Sequence, residues 1–457
     1  MERDTTRERS PEPVFRTGAG RRAALDPDVK RRGKPMNKAL RTFLAGRIRT
    51  GLVLGLLVML AACDGAEPEP PETATGPGSL IEATRIETVT RDEIDDMGFP
   101  VVASFDVEIY RVRYRTVDPA GNETEASGAL MRPRGVVPEL PLVSYQHGTI
   151  VRKADVASIQ GTGAAEALVG VLFATTGYLA VMPDYLGLGT SEGLHPYVHA
   201  ASLATAVVDM LRAGRHFAEQ EGLRLDGRVF LIGYSEGGYA TAAAQRLIEA
   251  TYPDEFDLAA SAPMAGNYDM SGTMAELMLR PEPYPAPFFL PYTLLAYDLV
   301  YDLWDDPSEV FVAPYDTRLP VLFDGTRSSA EIDAELPAVP IEMLQPAYVE
   351  AFRNDTSHPL WQALRDNDLL DWTPQAPTRL YHCTGDDLVP YANTEVAVAR
   401  FRARGATSVE AVPLDFGTHA ACAAPALLLA KTWFDTLRSA KRAPAEDRAA
   451  YALPATQ

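Results

Sequence analysis

Between residues 104 and 133 apolar and polar positions alternate (SFDVEIYRVRYRTVD, then ETEASGALMRP) around a PAGN turn. A period of two predicts an antiparallel hairpin. Further on the texture changes to short apolar runs: PLVSYQ (141–146), YLAVMP (178–183), RVFLIG (228–233), LAASAP (258–263), RLYHC (379–383) and VEAVPL (409–414). Alanine-rich amphipathic segments lie between most of them, at 162–176, 199–220, 237–250, 391–403 and 421–437. Strands that alternate with helices pair in parallel through right-handed crossovers. The expected fold is α/β, a mostly parallel central sheet led by an antiparallel hairpin.

The rhythm breaks between residues 266 and 377, which carry no clear core strand but aromatic, proline-punctuated segments such as PYPAPFFLPYTLLAYDLVYDLW. Structureless loops of that length are rare, so a helical cap is expected there. It is either a packed subdomain or a lid over an apolar pocket. The flanking stretches 79–265 and 378–457 form the two parts of the core.

The front end has a different character. Residues 36–62 place a basic stretch (Lys38, Arg41, Arg47, Arg49) before the apolar run Leu52–Leu60. That run is too short to span a bilayer and reads as an export signal. Its end, Leu60-Ala61-Ala62-Cys63, looks like the lipobox of bacterial lipoproteins, with Cys63 as the lipidated N-terminus after cleavage. The alternative is a plain signal peptide followed by an incidental cysteine. Residues 63–78, rich in Pro and Glu, read as a tether. Residues 1–35 form a long Arg-rich extension, and translation is expected to start at Met36. These features predict an exported, membrane-anchored lipoprotein of the periplasm or cell surface.

Charge sharpens the division. Residues 1–62 hold 14 Lys/Arg against 6 Asp/Glu, so the remaining chain carries −28 within a total of −20. So acidic a body argues against nucleic-acid partners, which need basic patches.

The chemistry is expected where strand 228–233 meets helix 237–250. Gly233-Tyr234-Ser235-Glu236-Gly237 is a G-x-S-x-G in a strand–turn–helix setting, the context of a nucleophile elbow. Serine is a weak nucleophile and needs a base oriented by a third group. Of seven histidines, only His419 lies beyond the last predicted strand, just before the final helix. The acid belongs in the loop TGDDLVPY after RLYHC, where Asp386 is favoured over Asp387, with Asp415 behind both. Each carboxylate has a plainer reading as a solvated loop residue or helix cap. Cys383 and Cys422 flank the acid and histidine loops, and in an exported protein a Cys383–Cys422 disulfide is expected, the alternative being two buried thiols. The helix N-terminus puts the Glu236 amide near the developing oxyanion, and Thr149 in YQHGT is the expected second donor. His147 reads as a structural residue of that loop. No His/Cys/Asp cluster has metal-ligand spacing, and no cofactor is expected.

Together YQHGT (145–149), PDYLGLG (183–189), GYSEGGYAT (233–241), PMAGNYDMSGT (263–273), HCTGDDLVPY (382–391) and FGTHAAC (416–422) resemble the α/β-hydrolase superfamily. Within it the likeness is to the secretory lipase family, which includes the yeast lipase A type. The resemblance implies an α/β-hydrolase fold with a helical lid inserted before the acid strand, and hydrolysis of carboxylic esters, often acyl glycerols. It also offers Asp184 as an alternative second oxyanion donor. The charged Glu236 directly after the serine departs from the family pattern. Two rival functions are a serine peptidase of the prolyl-peptidase type and a non-catalytic lipid-anchored binding protein on a hydrolase fold. The first commonly carries a repeated-blade propeller, and no such repeat appears here.

Overall fold

Nine strands form one sheet in the order β1-β2-β3-β5-β4-β6-β7-β8-β9 in the computed structural model, which describes residues 75–135 and 138–440. The predicted export signal, Cys63, the start at Met36 and most of the tether lie outside the described residues. The strands are β1 (Leu80–Val89), β2 (Val107–Val117), β3 (Glu123–Pro133), β4 (Leu140–Gln146), β5 (Leu179–Pro183), β6 (Leu225–Tyr234), β7 (Asp257–Met264), β8 (Thr378–Cys383) and β9 (Val409–Leu414). The first three and the β3–β5 junction are antiparallel, and everything from β5 to β9 is parallel. The hairpin turn between β2 and β3 is organised by Asp118, whose Oδ1 accepts the amides of Ala120 at 2.9 Å and Asn122 at 2.8 Å.

The central strands are buried on both faces because successive side chains alternate between two apolar layers. Leu142, Val229 and Leu231 point into one core, and Val143, Tyr145, Phe230 and Ile232 into the other. The first layer is completed by α2 (Ala200–Gln220) and α3 (Glu236–Thr251), the second by α1 (Ala167–Thr175). Helix α1 starts later than its sequence pattern suggests, after a short 3-10 turn at Gly161–Gly163.

Between β7 and β8 the described chain is helical: α4 (Phe289–Tyr301), α5 (Tyr315–Leu322), α6 (Pro346–Asn354) and α7 (Pro359–Asp366), with shorter turns and a lone bridge between Phe311 and Leu344. Leu294, Tyr297, Leu319, Phe352 and Leu364 from these helices join the same apolar layer as α2 and α3. The chain returns to the core through β8, α8 (Ala392–Ala403), β9 and α9 (His419–Ser439).

The strand order fixes where a crevice opens. β4 and β6 are neighbours, and the chain leaves β4 toward β5 on one side but leaves β6 toward β7 on the other. At such a switch point the loops beyond the carboxyl ends diverge and leave space for a ligand. The loop after β4 carries Thr149 and the turn after β6 carries Ser235.

Candidate active site

Ser235 takes φ +63° and ψ −126°, a conformation costly for a residue with a side chain, at the step from β6 to α3. Its amide donates to the Met264 carbonyl on β7 at 2.9 Å, which ties the strained turn to the sheet. The bend can close only because Gly233 and Gly237 lack side chains. A Cβ on Gly233 would overlap the Gly237 carbonyl, and one on Gly237 would overlap the Gln146 carbonyl at the end of β4. Elbow and β4 loop are therefore in backbone contact.

Asp386 lies in the turn after β8, its side chain fully buried, with Oδ2 2.6 Å from His419 Nδ1. Its Oδ1 accepts the amides of Leu388 at 3.0 Å and Val389 at 2.8 Å. A second histidine, His382, places Nε2 3.2 Å from Oδ2. Burial pushes this carboxyl up, but the hydrogen bonds from His382 and His419, the charge of His419 and the Val389 amide outweigh it and hold it far below the usual carboxylate range. The acid is thus ionised and accepts the Nδ1 hydrogen of His419, which leaves Nε2 as the ring nitrogen not engaged by Asp386.

The rival acids have other places. Asp387 Oδ1 accepts the backbone amide of His419 at 3.0 Å, so it fixes the loop and not the imidazole. Asp415 is exposed and makes no hydrogen bond or ion pair with His419. His419 begins α9, and its carbonyl accepts the Tyr234 hydroxyl at 2.7 Å. The Tyr234 ring lies 4.9 Å from the imidazole, so the residue before the nucleophile packs on the histidine. Ser235 Oγ makes no hydrogen bond among the described residues. The Asp386–His419 contact is made, while no hydrogen bond joins His419 to Ser235 among the described residues. A disulfide joins Cys383, at the end of β8, to Cys422, in the first turn of α9.

The loop after β4 passes over the nucleophile: a Cβ placed on Gly148 would stand 3.7 Å from that of Ser235. The Gly148 amide donates to Glu166, 3.0 Å from Oε1 and 3.1 Å from Oε2, and the Tyr145 hydroxyl donates to Oε2 at 2.5 Å. The amides of Thr149 and Glu236 have no partner among the described residues. The Asp184 amide is differently placed, donating to the Ser127 carbonyl at 2.9 Å in the link between β3 and β5. A donor already engaged there is not presented to the crevice, which corrects the expectation that Asp184 supplies the second amide. Its carboxyl, pushed above the ordinary carboxylate value by burial, accepts the hydroxyls of Ser127 and Ser158. His147 is buried with both ring nitrogens on backbone carbonyls and packs at a tilt against Tyr185, ring centroids 4.3 Å apart, a structural position.

Over the serine opens a cleft of about 480 Å³, floored by Ser235 and Glu236 and walled by Met270, Met274, Met278, Tyr284, Phe289 and Leu290. Its size and apolar walls suit a small organic ligand. All six wall residues lie in the segment between β7 and β8. Among the described residues no group of His, Cys, Asp and Glu side chains is disposed to hold a metal. Sequence reasoning missed Glu166 and His382 as supports of this site, and no local motif marks either one.

A family model described as secretory lipase matches residues 152–275. No curated protein matches the chain. Among solved structures, the rice cell wall degrading esterase LipA from Xanthomonas oryzae is similar at 31% identity with a TM-score of 0.72, over 80% of this chain and 100% of that one. A putative hydrolase from Legionella pneumophila is similar at 29% identity with a TM-score of 0.74, again over 80% and 100%. Lipase A of Candida antarctica in its closed state shares 18% identity with a TM-score of 0.60 over 79% and 83%, a likeness of fold alone.

Proposed function

The chain belongs to the secretory lipase family of α/β-hydrolases, and on that premise we propose that it is a serine carboxylic-ester hydrolase working through an acyl-enzyme. The observation that carries this reading is the 2.6 Å contact between His419 Nδ1 and the buried Asp386, at the sheet edge that also bears the strained Ser235.

Ser235 Oγ attacks the ester carbonyl while His419 Nε2 takes its proton. Asp386 keeps the imidazole in the Nδ1–H tautomer and stabilises the imidazolium that forms. The negative charge on the former carbonyl oxygen falls to the unengaged amides of Glu236 and Thr149, strengthened by the N-terminal end of α3. Collapse expels the alkoxide, which receives the proton from His419, and water then cleaves the acyl-enzyme by the same relay in reverse. The methionine- and aromatic-lined cleft holds the apolar part of the ester. The Xanthomonas oryzae relative, a cell wall degrading esterase by its description, supports ester substrates for this chain.

A fluorophosphonate should label Ser235 in the folded protein, and Ser235→Ala should lower turnover of p-nitrophenyl esters by on the order of 10³-fold or more with the fold intact. Absence of label together with unchanged turnover in the variant would overturn the mechanism. A chain-length series of the same esters then separates a lipase from an esterase.

A further inference from the structure

The residue after the nucleophile poses an electrostatic problem. Glu236 offers its amide to a developing oxyanion, yet carries a carboxylate on the same residue. That side chain is fully buried, with Oε1 2.8 Å from His195 Nε2 and Oε2 without any hydrogen-bond partner. A lone carboxylate in such a place would repel negative charge forming on the substrate, and weak screening would make the repulsion large.

The protons can be counted. His195 Nδ1 lies 2.7 Å from the Leu186 carbonyl oxygen, which can only accept, so Nδ1 carries a hydrogen. The Nε2–Oε1 contact joins two atoms with lone pairs and therefore holds one further proton. Whether that proton sits on nitrogen or oxygen, the pair is neutral as a whole. His195 packs against aromatic rings, stacked on Tyr185 at 5.7 Å and set 6.3 Å from Tyr197 and 6.1 Å from Tyr292 of α4. Tyr197 in turn stacks on Tyr292 at 4.5 Å. Burial drives all three hydroxyls far above their usual titration range, so they stay neutral and add no further negative charge beside the pair. Among the described residues no Lys or Arg forms an ion pair with Glu236.

We propose that His195 is a positioning residue of the oxyanion site: it neutralises the Glu236 carboxylate one residue from the nucleophile and locks that residue to the aromatic stack beneath the cap. This rests on the ester-hydrolase reading and adds a role for a side chain which that reading leaves unused.

The test is a rescue. His195→Phe keeps a flat ring between Tyr185 and Tyr197 and removes the shared proton. For a p-nitrophenyl ester its kcat should fall about 100-fold, the scale of losing one oxyanion donor, with KM changed less than about threefold. Adding Glu236→Gln removes the stranded charge, and His195→Phe/Glu236→Gln should regain at least about tenfold in kcat over the single variant. A structural defect would add to a second core substitution and not be relieved by it. The proposal is overturned if His195→Phe retains full kcat, or if the double variant is as slow as the single or slower. Should His195→Phe not fold, His195→Gln, which keeps a donor but no proton to share, takes its place with the same expectations. Fluorophosphonate labelling of wild-type Ser235 separates the two failures. With label and ester turnover present, a failed rescue removes only the role of His195, and without them the hydrolase reading falls first.

Discussion

Removing the Cys383–Cys422 bridge separates two effects that it could have, on stability and on catalytic geometry. The cysteines are 39 residues apart in sequence. Freeing a loop of that size in the unfolded chain costs about 4 kcal/mol of stability in the chain-entropy picture. With about 2.1 cal/mol/K of unfolding entropy per residue, the roughly 360 described residues make each kcal/mol worth about 1.3 °C, so Cys383→Ala/Cys422→Ala should melt about 5 °C lower. Catalysis should suffer far less. His419 is held through its amide to Asp387 at 3.0 Å, its carbonyl to Tyr234 at 2.7 Å and its ring to Asp386 at 2.6 Å, none of which runs through sulfur. At 20 °C, well below the transition, kcat on a p-nitrophenyl ester should drop by less than about tenfold. Circular dichroism melts and initial rates on the same preparation measure both. An unchanged Tm would refute the loop-entropy argument. A loss of about 100-fold in kcat with the fold intact would instead mean that the bridge, and not the hydrogen bonds, sets the Asp–His geometry.

Substitutions at two further residues probe the supports of the site. His382 Nε2 faces two acceptors, Asp386 at 3.2 Å and the Val389 carbonyl at 2.9 Å, so it carries a hydrogen and draws off part of the charge that Asp386 presents to His419. In His382→Leu the carboxylate pulls harder on the imidazolium and is itself easier to protonate. Both effects move the acid limb of kcat/KM upward, by about half to one pH unit if the lost bond is worth roughly 1 kcal/mol; Asp387, Tyr234, Tyr284 and Tyr391, the other titratable groups around the relay, remain in place. An acid limb that stays put or moves downward contradicts this. Glu166 holds the Gly148 amide from outside the crevice, so Glu166→Ala should lower kcat about tenfold with KM little changed, and Glu166→Gln, which still accepts one amide, should recover most of it. Equal rates for all three proteins would show that the β4 loop keeps its shape unaided.

What could be read from the chain and what could not divide along physical lines. The parallel strands, the elbow and the order of serine, acid and histidine are written in local runs: RVFLIG followed by a glycine-flanked serine needs no distant partner to be recognised. β1 escaped because it is an edge strand with much of LIEATRIETV exposed or half-buried, and a strand paired on one side leaves a weak hydrophobic signature. The choice between Thr149 and Asp184 depended on which backbone amide was already engaged, a matter of sheet pairing between β3 and β5 that composition does not encode. The buried polar supports are hidden for a related reason. Glu236 and His195 are 41 residues apart, and Gly148 and Glu166 are 18 apart. A buried charge must find a partner, but burial alone does not say which one, because any of several polar side chains could be brought to it by a different packing of the same helices. Glu236 was visible from the start as an anomaly beside the serine. Its meaning lay in the proton it shares with His195, and that could be counted only once the Leu186 carbonyl had fixed which nitrogen of His195 was taken.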